Sequence, residues 1–307
     1  MLDAALVALR WVQFWAAMIL FGSSLFLVPA RATADGGPRP ALAWPRRLLT
    51  FNAAALLIAS PAALVIQTSI LAGSLGDGIQ PQSLWAAIST TSFGPSTLVR
   101  AAAAAIALLA LTWKGLTRST RILVATFGAL ATASIAWMGH GAATEGPLRA
   151  VHLVSDILHA LAAGVWVGAL AIFAGSLRRR SSDPALDREL HRSLHGFGGV
   201  GSAVVAVIVA TGLVNSWFLV GPDHLDGLTT TLWGQLLLAK LGLFLAMLGF
   251  AAVNRFRLTP RLEAALADDP AVALAALRRS VTWETVVALT VLALVAVLGM
   301  QPPPASG

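Results

Sequence analysis

The chain has 307 residues, 57% of them hydrophobic and 11% charged, with a mean hydropathy of +0.78. Apolar runs of that density cannot be buried in a water-soluble core, which excludes a soluble globular domain and a disordered chain. The 21 basic residues against 14 acidic ones give a net charge of +7 and an isoelectric point near 11.4. In a soluble chain that excess would suggest nucleic acid as a partner; here it has a topological reading, and no nucleic-acid partner is expected.

Runs of roughly 20 residues suited to crossing a bilayer occur at about 4–29, 48–71, 96–114, 120–139, 149–175, 197–220, 232–253 and 281–300. They predict an all-α polytopic membrane protein, a bundle of eight transmembrane helices forming one membrane domain over residues 1–307. The first run carries Asp3 where a signal peptide has a positive cluster, and Arg10 interrupts it, so it reads as a retained helix. Tryptophans near run ends (Trp11, Trp15, Trp44, Trp85, Trp217 and Trp233) read as interface belts, and Trp166 as packing in the bundle interior.

Basic residues cluster between runs 1 and 2 (Arg31, Arg39, Arg46, Arg47), 3 and 4 (Lys114, Arg118, Arg121), 5 and 6 (Arg178, Arg179, Arg180, Arg188, Arg192) and 7 and 8 (Arg255, Arg257, Arg261, Arg278, Arg279). The alternate loops, 72–95, 140–148 and 221–231, hold none. By the positive-inside rule the basic loops face the cytoplasm and both termini are extracytoplasmic.

Cysteine is absent, and methionine occurs only at positions 1, 18, 138, 247 and 300. A soft-metal site would therefore lean on imidazole, carboxylate, amide and one or two thioethers. No glycine-rich phosphate loop, Ser-His-Asp spacing or H-E-x-x-H segment is present, so no enzymatic activity is expected.

In run 5 the segment H-L-V-S-D-I-L-H places His152, Asp156 and His159 within an arc of about 60°, at about 100° per helical residue. A carboxylate and two imidazoles in hydrocarbon are costly, so they are expected to face a cavity, an ion or one another. With run 5 descending from outside, all three lie in its outer half. His140 closes the outer end of run 4 in W-M-G-H-G, with Met138 two residues before it. Lys240 falls about 12 Å below the start of run 7, near the depth of Asp156, and Asn215 and Gln67 lie in the outer parts of runs 6 and 2.

These residues make a candidate metal set of His140, His152, Asp156, His159 and Met138, with Lys240, Asn215 and Gln67 as a supporting polar cluster. His152 and His159 are about 10 Å apart along the axis, too far to hold one small ion together, whereas His152 and Asp156 at i, i+4 can. Imidazole with carboxylate suits Cu(II) or Zn(II), and a thioether shifts preference toward Cu(I). The structural alternatives are an Asp156–Lys240 ion pair, interfacial histidines bonded to water or carbonyls, and interhelical hydrogen bonds from Asn215 and Gln67. At the cytoplasmic end Asn52, Asn254, Glu284 and the pair His191/His195 are candidates for an exit, with Glu284 pairing with Arg255 or Arg279 as the simpler reading. Functional alternatives are a b-type haem cytochrome, which would need a second histidine at the depth of His159, and a proton-coupled solute carrier using Asp156 and Lys240.

The string G-H-G-A-A-T-E-G-P-L-R-A-V-H-L-V-S-D-I-L-H-A-L-A-A-G-V-W-V-G-A-L, with T-G-L-V-N at 211–215, L-W-G-Q-L-L-L-A-K at 232–240 and N-R-F-R-L-T-P-R-L at 254–262, resembles the CopD-type copper resistance membrane proteins. The match runs in order over about 120–300, while residues 1–115 resemble the family mainly in their number of helices. Trp233 stands where a tyrosine is usual. The resemblance implies an eight-helix bacterial inner-membrane protein that binds a copper ion, Cu(I) or Cu(II), takes it from a separate periplasmic CopC-type carrier and passes it inward. It implies a functional role for His140, His152, Asp156, His159, Asn215 and Lys240.

Overall fold

A computed structural model describes residues 1–29, 43–139, 146–179 and 184–306. Among them, eight helices are long and apolar enough to cross a membrane. They are α1 (Leu2–Leu27), α2 (Ala43–Ala72), α3 (Phe93–Lys114), α4 (Arg118–Ala133, continued by a 3-10 turn over Ser134–Met138), α5 (Arg149–Arg178), α6 (Pro184–Leu219), α7 (Leu232–Val253) and α8 (Ala271–Leu298). An even number of spans puts both termini at one end of the bundle and the arginine-rich connections at the other. The protein is an all-α, multi-pass membrane protein.

Several helices outrun their hydropathy segments, and they do so at the arginine-rich end. The sixth begins at Pro184 rather than near residue 197 and the eighth at Ala271 rather than near 281. Hydropathy marks only the part matched to hydrocarbon; Arg188, Arg192, Arg278 and Arg279 are compatible with helix but not with the bilayer core, so the backbone continues beyond it. Past α7 the chain runs through a π-helical turn, Asn254–Leu258, into a short helix, Thr259–Ala265. Pro260 has no N–H and its ring crowds the carbonyl four residues earlier, and the wider turn accommodates both.

Two apolar cores share α1 as a common wall. Ala16, Ala17, Leu20 and Leu27 pack with Leu49, Leu56, Ala104, Leu111 and Val124 of α2, α3 and α4. Phe14, Met18 and Ile19, on the other face, pack with Trp166, Leu170 and Phe173 of α5 and with Val281 and Leu292 of α8. By contrast α6 and α7 leave large apolar side chains such as Leu213 and Leu245 on the outside of the bundle, as lipid-facing helices do. Trp233 departs from the expected interface belt: it is 2% exposed, enclosed with Val220 and Leu237 under Leu219, Leu228 and Leu298.

Helix α1 meets α5 almost backbone to backbone. A Cβ built on Gly22 would lie 2.0 Å from the Gly164 carbonyl oxygen, and one on Gly168 would lie 2.3 Å from the Gly22 carbonyl carbon. The close approach lets Ser23 Oγ donate to the Gly168 carbonyl at 2.9 Å. Small residues four apart are the usual means of such contact within a membrane, where lipid tails remove the hydrophobic drive between helices. Gly168→Val is accordingly expected to lower the thermal unfolding midpoint in detergent by several degrees, a cost of about 1–3 kcal/mol. Gly249→Ala, where a Cβ meets nothing within 4 Å, should leave it unchanged or higher; equal midpoints for the two variants would contradict the packing.

Candidate metal site

The polar stripe of α5 faces a matching stripe on α6. Thr211, Asn215 and Phe218 repeat the i, i+4, i+7 spacing of His152, Asp156 and His159, and the helices run antiparallel, so the residues pair in reverse order. His152 stacks on Phe218, with ring centroids 4.6 Å apart and planes 6° from parallel. Asn215 Nδ2 donates to Asp156 Oδ1 at 3.4 Å. His159 Nδ1 lies 3.0 Å from Thr211 Oγ1. Between these rungs Ser155 Oγ donates to the Thr211 carbonyl at 3.1 Å, fastening the two backbones.

These contacts decide which atoms remain available. Thr211 Oγ1 donates its one proton to the Val207 carbonyl at 2.6 Å, so it accepts from His159, which places the imidazole proton on Nδ1 and the free lone pair on Nε2. The Oδ1 atom of Asn215 is buried without a hydrogen-bond partner. Asp156 Oδ2 faces Gly139, at 3.7 Å from where a Cβ there would sit. A carboxylate oxygen, an amide oxygen and an imidazole nitrogen are thus uncommitted within about two helical turns, a donor chemistry that suits a divalent or monovalent transition-metal ion. Among the described residues no group of three or more His, Asp or Glu side chains closes around one point. The arrangement is a ladder, one donor level per turn, not a cage.

The other expected members fall in several places. His152 is 1% exposed, the most enclosed of the stripe. His140 lies outside the described residues. Lys240, half-buried on α7, interacts electrostatically with Asp156 and His159 but makes no ion pair within 4.0 Å, so in place of the alternative Asp156–Lys240 salt bridge Asp156 has the Asn215 hydrogen bond. Met138 and Gln67 line a neighbouring cavity with Arg10 and with Gly139, the residue that Asp156 Oδ2 faces, at the end of the 3-10 turn that follows α4. Outer-leaflet depth groups Gln67 with Asp156, but depth along the membrane normal says nothing of the direction around the bundle.

At the arginine-rich end Glu284 is 2% exposed and accepts from Trp166 Nε1 at 2.9 Å and from Asn254 Nδ2 at 2.8 Å. It pairs with neither Arg255 nor Arg279. Arg255 turns instead to the Gly198 carbonyl and Ser202 on α6. Of the other expected exit residues, the Asn52 amide donates to Leu48 of its own helix, and His191 sits 3.7 Å from Glu263 with its ring 6.1 Å from that of His195.

Two family models match the chain: the N-terminal domain of copper resistance protein D-like proteins over residues 1–151, and copper resistance protein D over residues 191–298. Copper resistance protein D of Pseudomonas syringae pv. tomato is 34% identical over 306 residues, covering 98% of this chain and 97% of that one. Copper transport protein CutJ of Bacillus subtilis (strain 168) is 32% identical over 68% of this chain and 39% of its own length. Inner membrane protein YebZ of Escherichia coli (strain K12) is 26% identical over 86% of this chain and 87% of its own. No solved structure matches the chain at a significant level. The N-terminal half, which by its own residues resembles the family mainly in helix number, is thus matched as well, and on this agreement along almost its whole length the chain belongs to the copper resistance protein D family.

Proposed function

We propose that this protein is a non-catalytic copper carrier of the bacterial inner membrane that accepts the ion at the end bearing both termini, facing the periplasm, and passes it toward the cytoplasm. The observation that carries the reading is the pairing of the α5 and α6 stripes, which leaves Asp156 Oδ2, Asn215 Oδ1 and His159 Nε2 uncommitted in the membrane interior. The family membership and the copper-related names of the relatives support the choice of ion. The skewed arginines support the orientation.

Copper is the cargo here, and a ladder suits cargo better than a cage does. His152, at the mouth, with His140, which follows Gly139 directly in sequence, receives the ion from a separate CopC-type carrier, and Met138 adds a thioether if the ion is Cu(I). Asp156 supplies the negative charge that makes a cation tolerable in hydrocarbon, and Asn215 holds the carboxylate toward α6. His159, its tautomer fixed by Thr211, offers the next nitrogen one turn deeper, about 5 Å on. Each step exchanges one or two ligands, so no level binds too tightly to release. The half-buried Lys240 beside Asp156 and His159 discourages occupation of the whole ladder at once by its charge.

Titration of the purified protein in detergent with copper against a competing chelator tests this. His152→Ala and Asp156→Ala are each expected to weaken binding at least tenfold, about 1.4 kcal/mol, with the unfolding midpoint retained. Unchanged affinity in both folded variants would refute the site. Thr211→Val, which removes the oxygen that holds the imidazole, should weaken binding about tenfold while Thr211→Ser restores it; equal affinity for the Val and Ser variants would show that the His159 tautomer plays no part.

A further inference from the structure

Beyond the α5–α6 ladder, α1 and α3 carry two arginines inside the bundle. Arg100 is fully buried and Arg10 is 7% exposed, and neither has a carboxylate within 4.0 Å among the described residues. Arg100 is met by a neutral group at each nitrogen: Nε donates to Ser134 Oγ at 3.1 Å, Nη2 to the Ser134 carbonyl at 3.2 Å, and Nη1 to the Gln13 side-chain oxygen. Arg10 is not. Its Nη1 reaches the Gly299 carbonyl and Met300 Sδ at 3.3 and 3.4 Å, and its Nη2 the Met138 carbonyl at 3.3 Å, whereas Nε is buried with no partner.

Arg10 borders a cavity of about 280 Å³ at the end bearing the termini, lined also by Gln67, Thr91, Ser92, Trp137 and Met138. The two hydroxyls there are committed, Thr91 to the Ala87 carbonyl at 2.6 Å and Ser92 to the Trp137 carbonyl at 3.3 Å. The Gln67 amide makes no hydrogen bond among the described residues and keeps its donors. Two guanidinium charges held by neutral dipoles alone are costly in a low-dielectric interior, and the cost falls if a negative charge enters the adjoining space.

We propose that this cavity binds a small anion, with Arg10 as its cationic anchor and Gln67 as a second donor. A cavity of this size admits a halide or a tetrahedral oxyanion. A phosphate group, whether free or at the head of a lipid, has the same chemistry. The proposal does not depend on the copper reading.

The test uses the full chain purified in detergent and exchanged into gluconate buffer. Chloride and inorganic phosphate are titrated separately while the unfolding midpoint is followed, and phosphorus retained by the washed protein is quantified. Gln67→Leu and Arg10→Met are compared with the wild type; Gln67 makes no hydrogen bonds to lose, so its variant remains informative if Arg10→Met fails to fold. A midpoint that rises with chloride or phosphate in the wild type, with the half-saturating concentration at least tenfold higher in Gln67→Leu, establishes a site for a free anion. Tightly held phosphorus in the wild type that is lost in Gln67→Leu establishes a lipid headgroup there. Identical behaviour of the wild type and Gln67→Leu in both assays overturns the proposal, as does a wild-type protein that neither responds nor holds phosphorus.

Discussion

The near contact of two backbones, α1 at Gly22 and α5 at Gly164 and Gly168, sets the rotation of α5 and with it everything the helix presents elsewhere. On a helical wheel the glycine face lies about 130° from the centre of the His152–Asp156–His159 stripe. Seating the glycines on α1 therefore turns the stripe away from the shared apolar wall and toward α6. The constraint works in both directions: in hydrocarbon a carboxylate and two imidazoles need partners, and only a neighbour with Thr211, Asn215 and Phe218 in antiparallel register supplies them level by level.

From this follows a division of labour among the helices. The first four, with α1 as wall, form a core of small and aliphatic side chains in which Arg100 is stabilised by Ser134 and the Gln13 side chain. The remaining helices carry the polar ladder at one end and the Trp166–Glu284–Asn254 group at the other, both reached from α5. All but the first three residues of α5 lie between the two stretches matched by the family models, and the helix packs against both cores, so it couples the scaffold to the polar interior. The peripheral positions of α6 and α7 leave half of each ladder rung on helices that face lipid.

Much of this was legible in the residues because membrane folding is governed by few rules. Eight apolar runs became eight helices, and a 3.6-residue period found the α5 stripe. What stayed hidden was azimuth. Gln67 reads as an outer-leaflet residue like Asp156 but lines the cavity beside Arg10, and no local pattern distinguishes the two directions. Thr211 and Phe218 passed unnoticed because each is ordinary by itself; taken with Asn215, their i, i+4, i+7 spacing was the available signal. Charge arithmetic misled at Glu284, since Arg255 and Arg279 are exposed on the outside of the bundle while the buried Trp166 and Asn254 turn inward to it. Trp233 misled through the interface rule, because the chain before α7 and the end of α8 fold over it.

Facing of the two stripes is the claim on which the account rests, and a chain without native cysteine allows it to be measured in membranes. Asp156→Cys combined with Asn215→Cys, treated with a short bifunctional thiol reagent, should cross-link rapidly. Leu158→Cys combined with Asn215→Cys should not react, because Leu158 lies on the exposed side of α5. Equal cross-linking of both pairs, or reaction of the second alone, would show that α5 is rotated and that the ladder does not exist.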